Sequence, residues 1–155
     1  MTAAEGTIAK PFSCGVIVTD GRLILLGHAT RTPRWDIPKG VAEPGEEFAA
    51  AARRELGEET GLSVDAAALV PLGLYPYRRD KGLALFLWVP PVLPDPKLLH
   101  CASCFPAHDG AMLPEFDRFG LFSRDEAVRR VGKAMAEILA RISLDPLKGA
   151  SSGAA

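Results

Sequence analysis

The amino-acid sequence predicts a single α/β domain. Segments with β-strand character occur in pairs, a glutamate-rich helical segment separates these pairs, and an amphipathic helical segment follows the last strand. The chain has 155 residues, enough to bury one substantial hydrophobic core, and it shows no internal repeat. We therefore expect one folded unit built from both strands and helices.

The first pair of strands is predicted at residues 12–19 and 23–26. Both segments are apolar, and Asp20-Gly21 between them is a dipeptide favoured in tight hairpin turns. The stretch 27–40 that follows is basic and contains two prolines, so we expect it to be irregular.

A helix is predicted from Glu46 to Gly61. Pro44 and Gly45 disfavour a helix before it, and Gly61 suits a left-handed C-cap. Glu46 and Glu47 are expected in the first turn, where the positive end of the helix dipole stabilises acidic side chains.

The second pair of strands is predicted at 69–77 and 83–89, and a short strand is predicted at 116–122. Both members of the pair are apolar, and the charged sequence RRDKG connects them. The intervening segment 90–114 is rich in proline and has no clear period, so little regular structure is expected there.

The last helix is predicted to begin at a capping box formed by Ser123 and Glu126. Its apolar stripe has helical spacing and comprises Ala127, Val128, Val131, Met135, Ile138, Leu139 and Ile142. We expect an N-terminal extension at 1–9, the domain itself at 10–142 and a disordered tail at 143–155.

The overall composition excludes several classes of protein. The chain is 48% hydrophobic and 24% charged with a formal net charge of −1, so no global field attracts nucleic acid or an anionic membrane. No apolar run approaches the roughly 18 residues that span a bilayer. The first residues lack a signal-peptide core, and the odd number of cysteines does not suggest a disulfide framework. A cytoplasmic protein is expected.

Three glutamates in the predicted first helix carry the strongest chemical signal. Glu55, Glu58 and Glu59 are spaced i, i+3 and i+4, so they project from one side of a helix, near the direction of Phe48 and Ala52. Carboxylates on the inward side of a helix repel one another and are costly to desolvate unless cations lie between them. The alternative is a solvated helix with surface salt bridges. The inward direction favours a divalent-metal site.

The segment 40–62 resembles the Nudix box at every defining position. The matching residues are Gly40, Glu46, Arg54, Glu55, Leu56, Gly57, Glu58, Glu59, Thr60, Gly61 and Leu62. Together with the order of strands and the last helix, the resemblance covers about residues 10 to 142. It implies the Nudix fold, an α/β/α sandwich with a mixed β-sheet. It also implies hydrolysis of a nucleoside diphosphate linked to another moiety.

The resemblance implies a set of metal ligands. Glu58 and Glu59 would be the principal ligands, Glu55 would be a ligand or the general base, and Gly40 would add a backbone carbonyl. Hard oxygen donors suit Mg²⁺, and Mn²⁺ is an expected substitute. Many relatives carry a further glutamate before the last strand, so Glu115 is a candidate ligand or base. An ordinary acidic residue at the start of a strand is the alternative.

The resemblance also implies roles for the remaining charged residues of the box. Arg54 would orient the catalytic carboxylates, and Glu46 would pair with Arg54 instead of binding metal. The expected enzyme is thus a pyrophosphohydrolase with a small-molecule nucleotide substrate. A nucleotide sensor of the same fold without turnover is the alternative from another class. A homodimer is compatible with the resemblance, and neither a membrane nor a nucleic acid is an expected partner.

The residues before the box suggest a substrate. The sequence Trp35-Asp-Ile-Pro-Lys39-Gly resembles the diadenosine polyphosphate and inositol pyrophosphate branches of the family, which makes a dinucleoside polyphosphate the best candidate. Lys39 would contact phosphate oxygens, and Arg34 could do so from the same loop. Trp35 is either a core residue or a platform for a base.

The second strand pair gives conflicting indications. Tyr77 lies roughly where diadenosine polyphosphate hydrolases stack a ring on a base, and Arg78 could reach a polyphosphate. Pro76 is instead associated with hydrolases of ADP-ribose. ADP-ribose and nucleoside triphosphates therefore remain alternative substrates.

The cysteines in the segment after residue 99 suggest either a zinc site or an apolar packing role. Cys101 and Cys104 are flanked by His100 and His108, but the second ligand pair of a usual zinc module is absent from the sequence. We expect these cysteines to pack as small apolar residues.

Overall fold

The computed structural model describes residues 10–148. Its strands are β1 (Phe12–Val18), β2 (Leu23–Ala29), β3 (Trp35–Asp36), β4 (Lys39–Val41), β5 (Val70–Arg78), β6 (Lys81–Trp88), β7 (Cys104–Pro106), β8 (Met112–Pro114) and β9 (Phe116–Ser123). Its helices include α1 (Phe48–Thr60), α2 (Arg124–Arg130) and α3 (Lys133–Leu139), with short 3₁₀ turns at Ala66–Ala68 and Pro96–Leu98.

The main sheet is mixed, as the resemblance implied. Its strand order is β4-β1-β6-β5, in which β1 runs parallel to β6 and the other neighbours are antiparallel. A second sheet has the order β3-β2-β9, and β7 pairs with β8 as a separate hairpin.

Strand β1 is buried on both faces because helices cover both sides of the sheet. Successive side chains of a strand point to opposite faces. Val16 and Val18 pack with Leu56 of α1 in one apolar cluster, whereas Ile17 packs with Met135 of α3 in the other. The chain is therefore an α/β/α sandwich, and the continuous apolar run of β1 reflects this double burial.

The predicted hairpin of the first two strands is wrong in its pairing. The turn does form, since Asp20 Oδ1 accepts hydrogen bonds from the backbone N–H groups of Arg22 and Leu23 at 2.9 and 2.8 Å. Beyond an isolated bridge between Thr19 and Ile24, however, β1 joins the main sheet and β2 joins the second sheet. Strand β1 is central in the main sheet, because its two edges pair with β4 and β6.

Two stretches that were expected to be irregular contain strands. Strand β2 extends to Ala29, and β3 and β4 lie within the stretch 27–40. The segment 90–114 contains the turn Pro96–Leu98 and the hairpin of β7 and β8. These short strands lack an extended periodic pattern, and pairing with partners in space stabilises them.

Helix α1 ends as predicted but begins two residues later. Gly61 is the C-cap with φ of 82°, and its N–H donates to the carbonyl of Gly57. Glu47 is the N-cap, so Glu46 and Glu47 precede the first turn instead of lying within it. The carboxylate of Glu46 accepts hydrogen bonds from Arg54, which explains its position outside the helix.

The single C-terminal helix that was predicted is two helices. Ser123 Oγ accepts from the N–H of Glu126 at 3.2 Å, as a capping residue should. The chain leaves the helical conformation at Val131, and Gly132 is the N-cap of α3 with ψ of 165°. Glycine is a poor helix former, and the break lets α3 reorient while its apolar stripe stays buried.

Part of the predicted disordered tail belongs to the folded domain. Leu144 is only 6% exposed and lies in the core, and Arg124 Nη1 donates to the carbonyls of Leu139 and Ile142 just before it. Leu144, within the expected tail, therefore packs with the folded domain. The expected extension 1–9 and the rest of the expected tail, 149–155, lie outside the described residues. No helix within residues 10–148 is both long enough and apolar enough to cross a membrane.

Candidate active site

Glu55 and Glu59 lie on the inward side of α1, as their spacing predicts, whereas the inward direction predicted for Glu58 is wrong. Glu55 and Glu59 are 9% and 7% exposed, beneath the loop that leads into the helix. Glu58 lies at the rim, with 46% of its side chain exposed. The apolar side of α1 packs through Ala52 and Leu56 against the main sheet, which fixes the direction in which the glutamates project.

The backbone of β4 lies directly against two of these carboxylates. The N–H of Lys39 donates to Oε1 of Glu59 at 2.9 Å. A Cβ atom added to Gly40 would overlap the carboxylate of Glu55. Glycine at this position therefore allows the close approach of strand and helix. Pairing of Cys14 with Gly40 holds this backbone in the main sheet.

Arg54 connects the glutamates of the box. Its Nε and Nη2 donate to the two carboxylate oxygens of Glu46, both at 2.9 Å. Its Nη1 donates to Glu55 at 2.9 Å and to Glu58 at 3.4 Å, and Nη2 also reaches the carbonyl of Val41. The hydrogen bonds from Arg54 lower the pKa of Glu46 to about 2. The expected contact between Glu46 and Arg54 is thus present as a bidentate ion pair.

Burial makes the inner carboxylates difficult to ionise. Desolvation raises the pKa of Glu59 to about 8, and repulsion from Glu55 and Glu115 adds to this effect. Desolvation also raises the pKa of Glu55, against the opposing influence of Arg54. Bound cations would relieve both penalties, because a nearby positive charge favours the ionised form.

Glu115 approaches this site from another part of the chain. It lies between β8 and β9, where its N–H donates to Ser103 and its carbonyl accepts from Thr30. The segment before β7 packs against the end of α1, since the N–H groups of Ala102 and Ser103 donate to the carbonyl of Glu58. The fold thereby brings a fourth carboxylate near Glu59.

The donor set fits a divalent metal in its chemistry. Its side-chain donors are carboxylate oxygens, which hard cations prefer. Among residues 10–148, no three histidine, cysteine, aspartate or glutamate side chains already converge as a ligand cluster. Glu55 and Glu58 are turned toward Arg54, so binding a cation would require them to share or exchange that partner.

Lys39 links the carboxylates to a second charged region. Its Nζ lies 3.1 Å from Oδ2 of Asp36 and 5.3 Å from the ring centroid of Tyr77. Burial acts to lower the pKa of Lys39, but Asp36 and Tyr77 outweigh it and the pKa is raised. The guanidinium carbon of Arg78 lies 5.6 Å from the same ring. Three of the predicted substrate-binding residues, Lys39, Tyr77 and Arg78, are therefore together.

The other two predicted substrate-binding residues lie elsewhere. Trp35 is 9% exposed within the core, in edge contact with His28 and Phe122, so the structure favours the core interpretation over a stacking platform. Arg34 is exposed and lies beside Gly132 at the junction of α2 and α3.

Sequence reasoning missed the cavity that adjoins Tyr77. This cavity of about 540 Å³ is lined from β5 and from α3, and the residues from α3 and just beyond it include Lys133, Glu137 and Arg141. Asp36, the partner of Lys39, was also missed. Nothing in the local sequence marks the cavity, because its two sides meet only through the packing of the last helix on β5.

The cysteines are separated in their environments. Cys101 is buried with its Sγ near the carbonyl of Ser103, whereas Cys104 is exposed with its Sγ near the carbonyl of Ala102. Cys14 is buried in the core beneath α1.

Comparison with known proteins establishes the family. The model of the NUDIX domain matches residues 9–142, so the chain belongs to the Nudix family. An uncharacterised 17.7 kDa protein of Enterobacteria phage T4 is 36% identical over 141 residues, which cover 84% of this chain and 93% of that protein.

Two further curated proteins match shorter segments. An RNA pyrophosphohydrolase of Erythrobacter litoralis is 48% identical over 46 residues, 30% of this chain and 28% of its own. A putative 8-oxo-dGTP diphosphatase of Bacillus subtilis is 38% identical over 60 residues, 39% of each chain.

Solved structures show the same fold at low identity. The MutT protein of Bacillus halodurans superposes with a TM-score of 0.59 at 20% identity, covering 84% of this chain and 80% of that one. A C. elegans Ap4A hydrolase superposes with a TM-score of 0.55 at 20% identity, covering 84% and 93%. The chain is thus a Nudix hydrolase, a class that generally uses divalent metals and acts on small nucleotide substrates.

Proposed function

We propose that this Nudix hydrolase is a Mg²⁺-dependent pyrophosphohydrolase whose preferred substrate is a dinucleoside polyphosphate. The observation that carries the proposal is the connection made by Lys39. Its backbone contacts Glu59 in the carboxylate site, and its side chain reaches Tyr77 at the mouth of a basic cavity. A molecule cleaved at the carboxylates could therefore extend over Lys39 toward the tyrosine.

The residues that would hold the metal are Glu58, Glu59, Glu55 and Glu115, with the backbone carbonyl of Gly40. Bound Mg²⁺, or Mn²⁺ in its place, would neutralise charge on the phosphate oxygens and lower the pKa of water. The exposed position of Glu58 supports its access to both metal and substrate. The buried Glu59 would remain ionised at neutral pH only with such a counter-charge beside it.

The other charged residues of the box would position these groups. Arg54 holds Glu55 and Glu58 from one side, and its fork to Glu46 fixes its own orientation. Glu55 would accept a proton from the attacking water if it does not bind metal directly, and Glu115 is the other candidate for that base. A base must lie within hydrogen-bond reach of the water, which either residue could satisfy.

The polyphosphate would lie along the surface formed by Lys39 and Arg78. Both cations flank the ring of Tyr77, which could stack on a base. The adjoining cavity of about 540 Å³ is within the range of small-molecule sites. Arg34 lies beside the N-cap of α3, where it would contact a part of the substrate distant from the cleaved bond.

Two other nucleotide classes remain alternatives. A nucleoside triphosphate is favoured by the likeness of this chain to a protein named as a putative 8-oxo-dGTP diphosphatase. ADP-ribose is the other, although its neutral ribose would leave Arg78 and Arg79 in the cavity without an anionic partner. A sensor without turnover is disfavoured by the intact Glu55, Glu58 and Glu59.

The decisive experiment is a substrate screen with the purified protein. Diadenosine tetraphosphate, ADP-ribose and nucleoside triphosphates are each incubated with Mg²⁺ and, separately, with Mn²⁺. The products are separated and quantified directly by ion-exchange chromatography, which works equally for triphosphates and for reactions in EDTA. We expect the highest kcat/KM with diadenosine tetraphosphate and no turnover in EDTA. A higher kcat/KM with ADP-ribose or a triphosphate would refute the substrate assignment, and equal turnover in EDTA would refute the metal dependence.

A further inference from the structure

The cavity beside Tyr77 has two walls of different origin. The β5 side and the turn after it contribute Tyr75, Pro76, Tyr77, Arg78 and Arg79. The α3 side contributes Lys133, Ala134, Glu137, Ile138 and Arg141. The last helix therefore forms half of a cavity whose other half adjoins the carboxylate site.

Charged residues on the α3 side occupy one stripe. Lys133, Glu137 and Arg141 are spaced i, i+4 and i+8, which places them on one face of the helix and the turn that continues it. Met135 and Leu139, on the opposite side of α3, are 1% and 0% exposed and pack into the core. The orientation of the two cations toward the cavity is thus set by burial of the opposite side of α3.

The cavity carries a strong excess of positive charge. Its lining has four cations, Arg78, Arg79, Lys133 and Arg141, against the single carboxylate of Glu137. In the described part of the chain, no carboxylate lies within 4.0 Å of any of these four cations. Unpaired cations that converge on one concave surface favour a polyanionic ligand.

We infer that Lys133 and Arg141 are specificity-determining residues that bind an anionic group of the substrate beyond the cleaved diphosphate. The inference rests on the proposed function for the position of the cleaved bond. Through these two cations, α3 distinguishes substrates by the number of their phosphates. A substrate with four phosphates reaches these cations from the carboxylate site, whereas one with two phosphates places only neutral groups near them.

The test compares diadenosine tetraphosphate with diadenosine diphosphate, which has the same nucleosides and two fewer phosphates. The double variant Lys133→Gln/Arg141→Gln is expected to raise KM for the tetraphosphate about tenfold and to leave KM for the diphosphate unchanged. Glu137→Gln, in the same stripe but of opposite charge, is expected to lower KM for the tetraphosphate. Arg22→Gln, an exposed change on the β1–β2 turn, is the control and should alter neither.

A binding measurement separates this inference from the proposed function. Calorimetric titration of diadenosine tetraphosphate in EDTA should show weaker binding to the double variant than to the unchanged protein. If the unchanged protein hydrolyses neither compound but this difference persists, the proposed function fails and the role of α3 stands. An equal loss for both compounds, or no loss, in a variant with an unaltered circular-dichroism spectrum overturns the role of α3.

Discussion

The two charged regions of this protein are built in opposite ways. On α1, carboxylates are buried and tied together by Arg54 and by the backbone of Lys39. Beside α3, cations such as Arg79 and Arg141 line an open cavity without carboxylate partners among the residues described. Cleavage of a phosphoanhydride depends on the exact placement of charge, whereas recognition of a polyphosphate depends on charge that is free to pair. The following predictions test that contrast, from the largest expected effect to the smallest.

Neutralising one carboxylate at the rim should abolish most of the activity. We expect Glu58→Gln to lower kcat by about 10² to 10³, because one preorganised charge is removed from the reaction site. Thermal unfolding should be unchanged, since the side chain is half exposed. Glu47→Gln is the matched control, an exposed glutamate at the N-cap of the same helix. Turnover by Glu58→Gln at the rate of the unchanged protein would remove Glu58 from the mechanism.

Loss of Arg54 should destabilise the acidic region more than loss of a cation destabilises the basic one. Arg54→Gln leaves Glu46 and Glu55 without their main partner, and we expect the free energy of unfolding to fall by about 2 kcal/mol. Arg79→Gln removes an exposed charge without a partner, and the free energy of unfolding of this variant should not change. Urea denaturation of both variants measures the difference. Equal destabilisation of the two would contradict the contrast.

A side chain at Gly40 should disturb the close approach of β4 to α1. Gly40→Ala places a Cβ where the Glu55 carboxylate lies, so we expect that carboxylate to be displaced and kcat to fall about tenfold. The flexible end of the side chain can move, so the melting temperature should fall by only a few degrees. Gly110→Ala, in the turn between β7 and β8, is the control for kcat, which should not change; because Gly110 has a φ of 85°, its melting temperature should also fall. An active Gly40→Ala would show that Glu55 does not need its present position.

The C-terminal end of α3, beside the basic cavity, should be stabilised by the side chain of Arg124. Arg124 donates to the carbonyls of Leu139 and Ile142 at 2.7 and 2.9 Å, where α3 ends. We expect Arg124→Gln to lower the free energy of unfolding by about 1 kcal/mol. Arg129→Gln, which disrupts an exposed ion pair on α2, should cost less. Chemical denaturation compares the free energies of unfolding of the two variants. A larger loss for Arg129→Gln than for Arg124→Gln would contradict the role of Arg124 in holding the end of α3.

Local signals in the sequence were sufficient to locate α1. The glutamate spacing and Gly61 located α1 and its buried face, because helix faces and C-caps depend on residues close together in the chain. The capping serine of α2 was located in the same way. The break at Gly132 was missed, since the apolar stripe continues across it and only the packing of α3 on β5 shows the change of direction.

Strand pairing and the cavity could not be obtained from local patterns. The turn at Asp20 was predicted, yet β1 and β2 belong to different sheets. Strand pairing depends on how the apolar faces of all the strands are buried together, which a local pattern does not show. Glu115 was identified only as a candidate by resemblance. Its approach to Glu59 depends on the backbone of residue 115, whose N–H donates to the carbonyl of Ser103 and whose carbonyl accepts from the N–H of Thr30.

The sequence by itself determined the family, the α/β class and the carboxylates of α1, because the spacing of the box is local and helical periodicity orients it. The tertiary structure alone decided that Lys39 joins those carboxylates to Tyr77, and that Lys133 and Arg141 face the same cavity. These residues are far apart in the chain. They meet because burial of α3 against the main sheet leaves its polar stripe opposite β5.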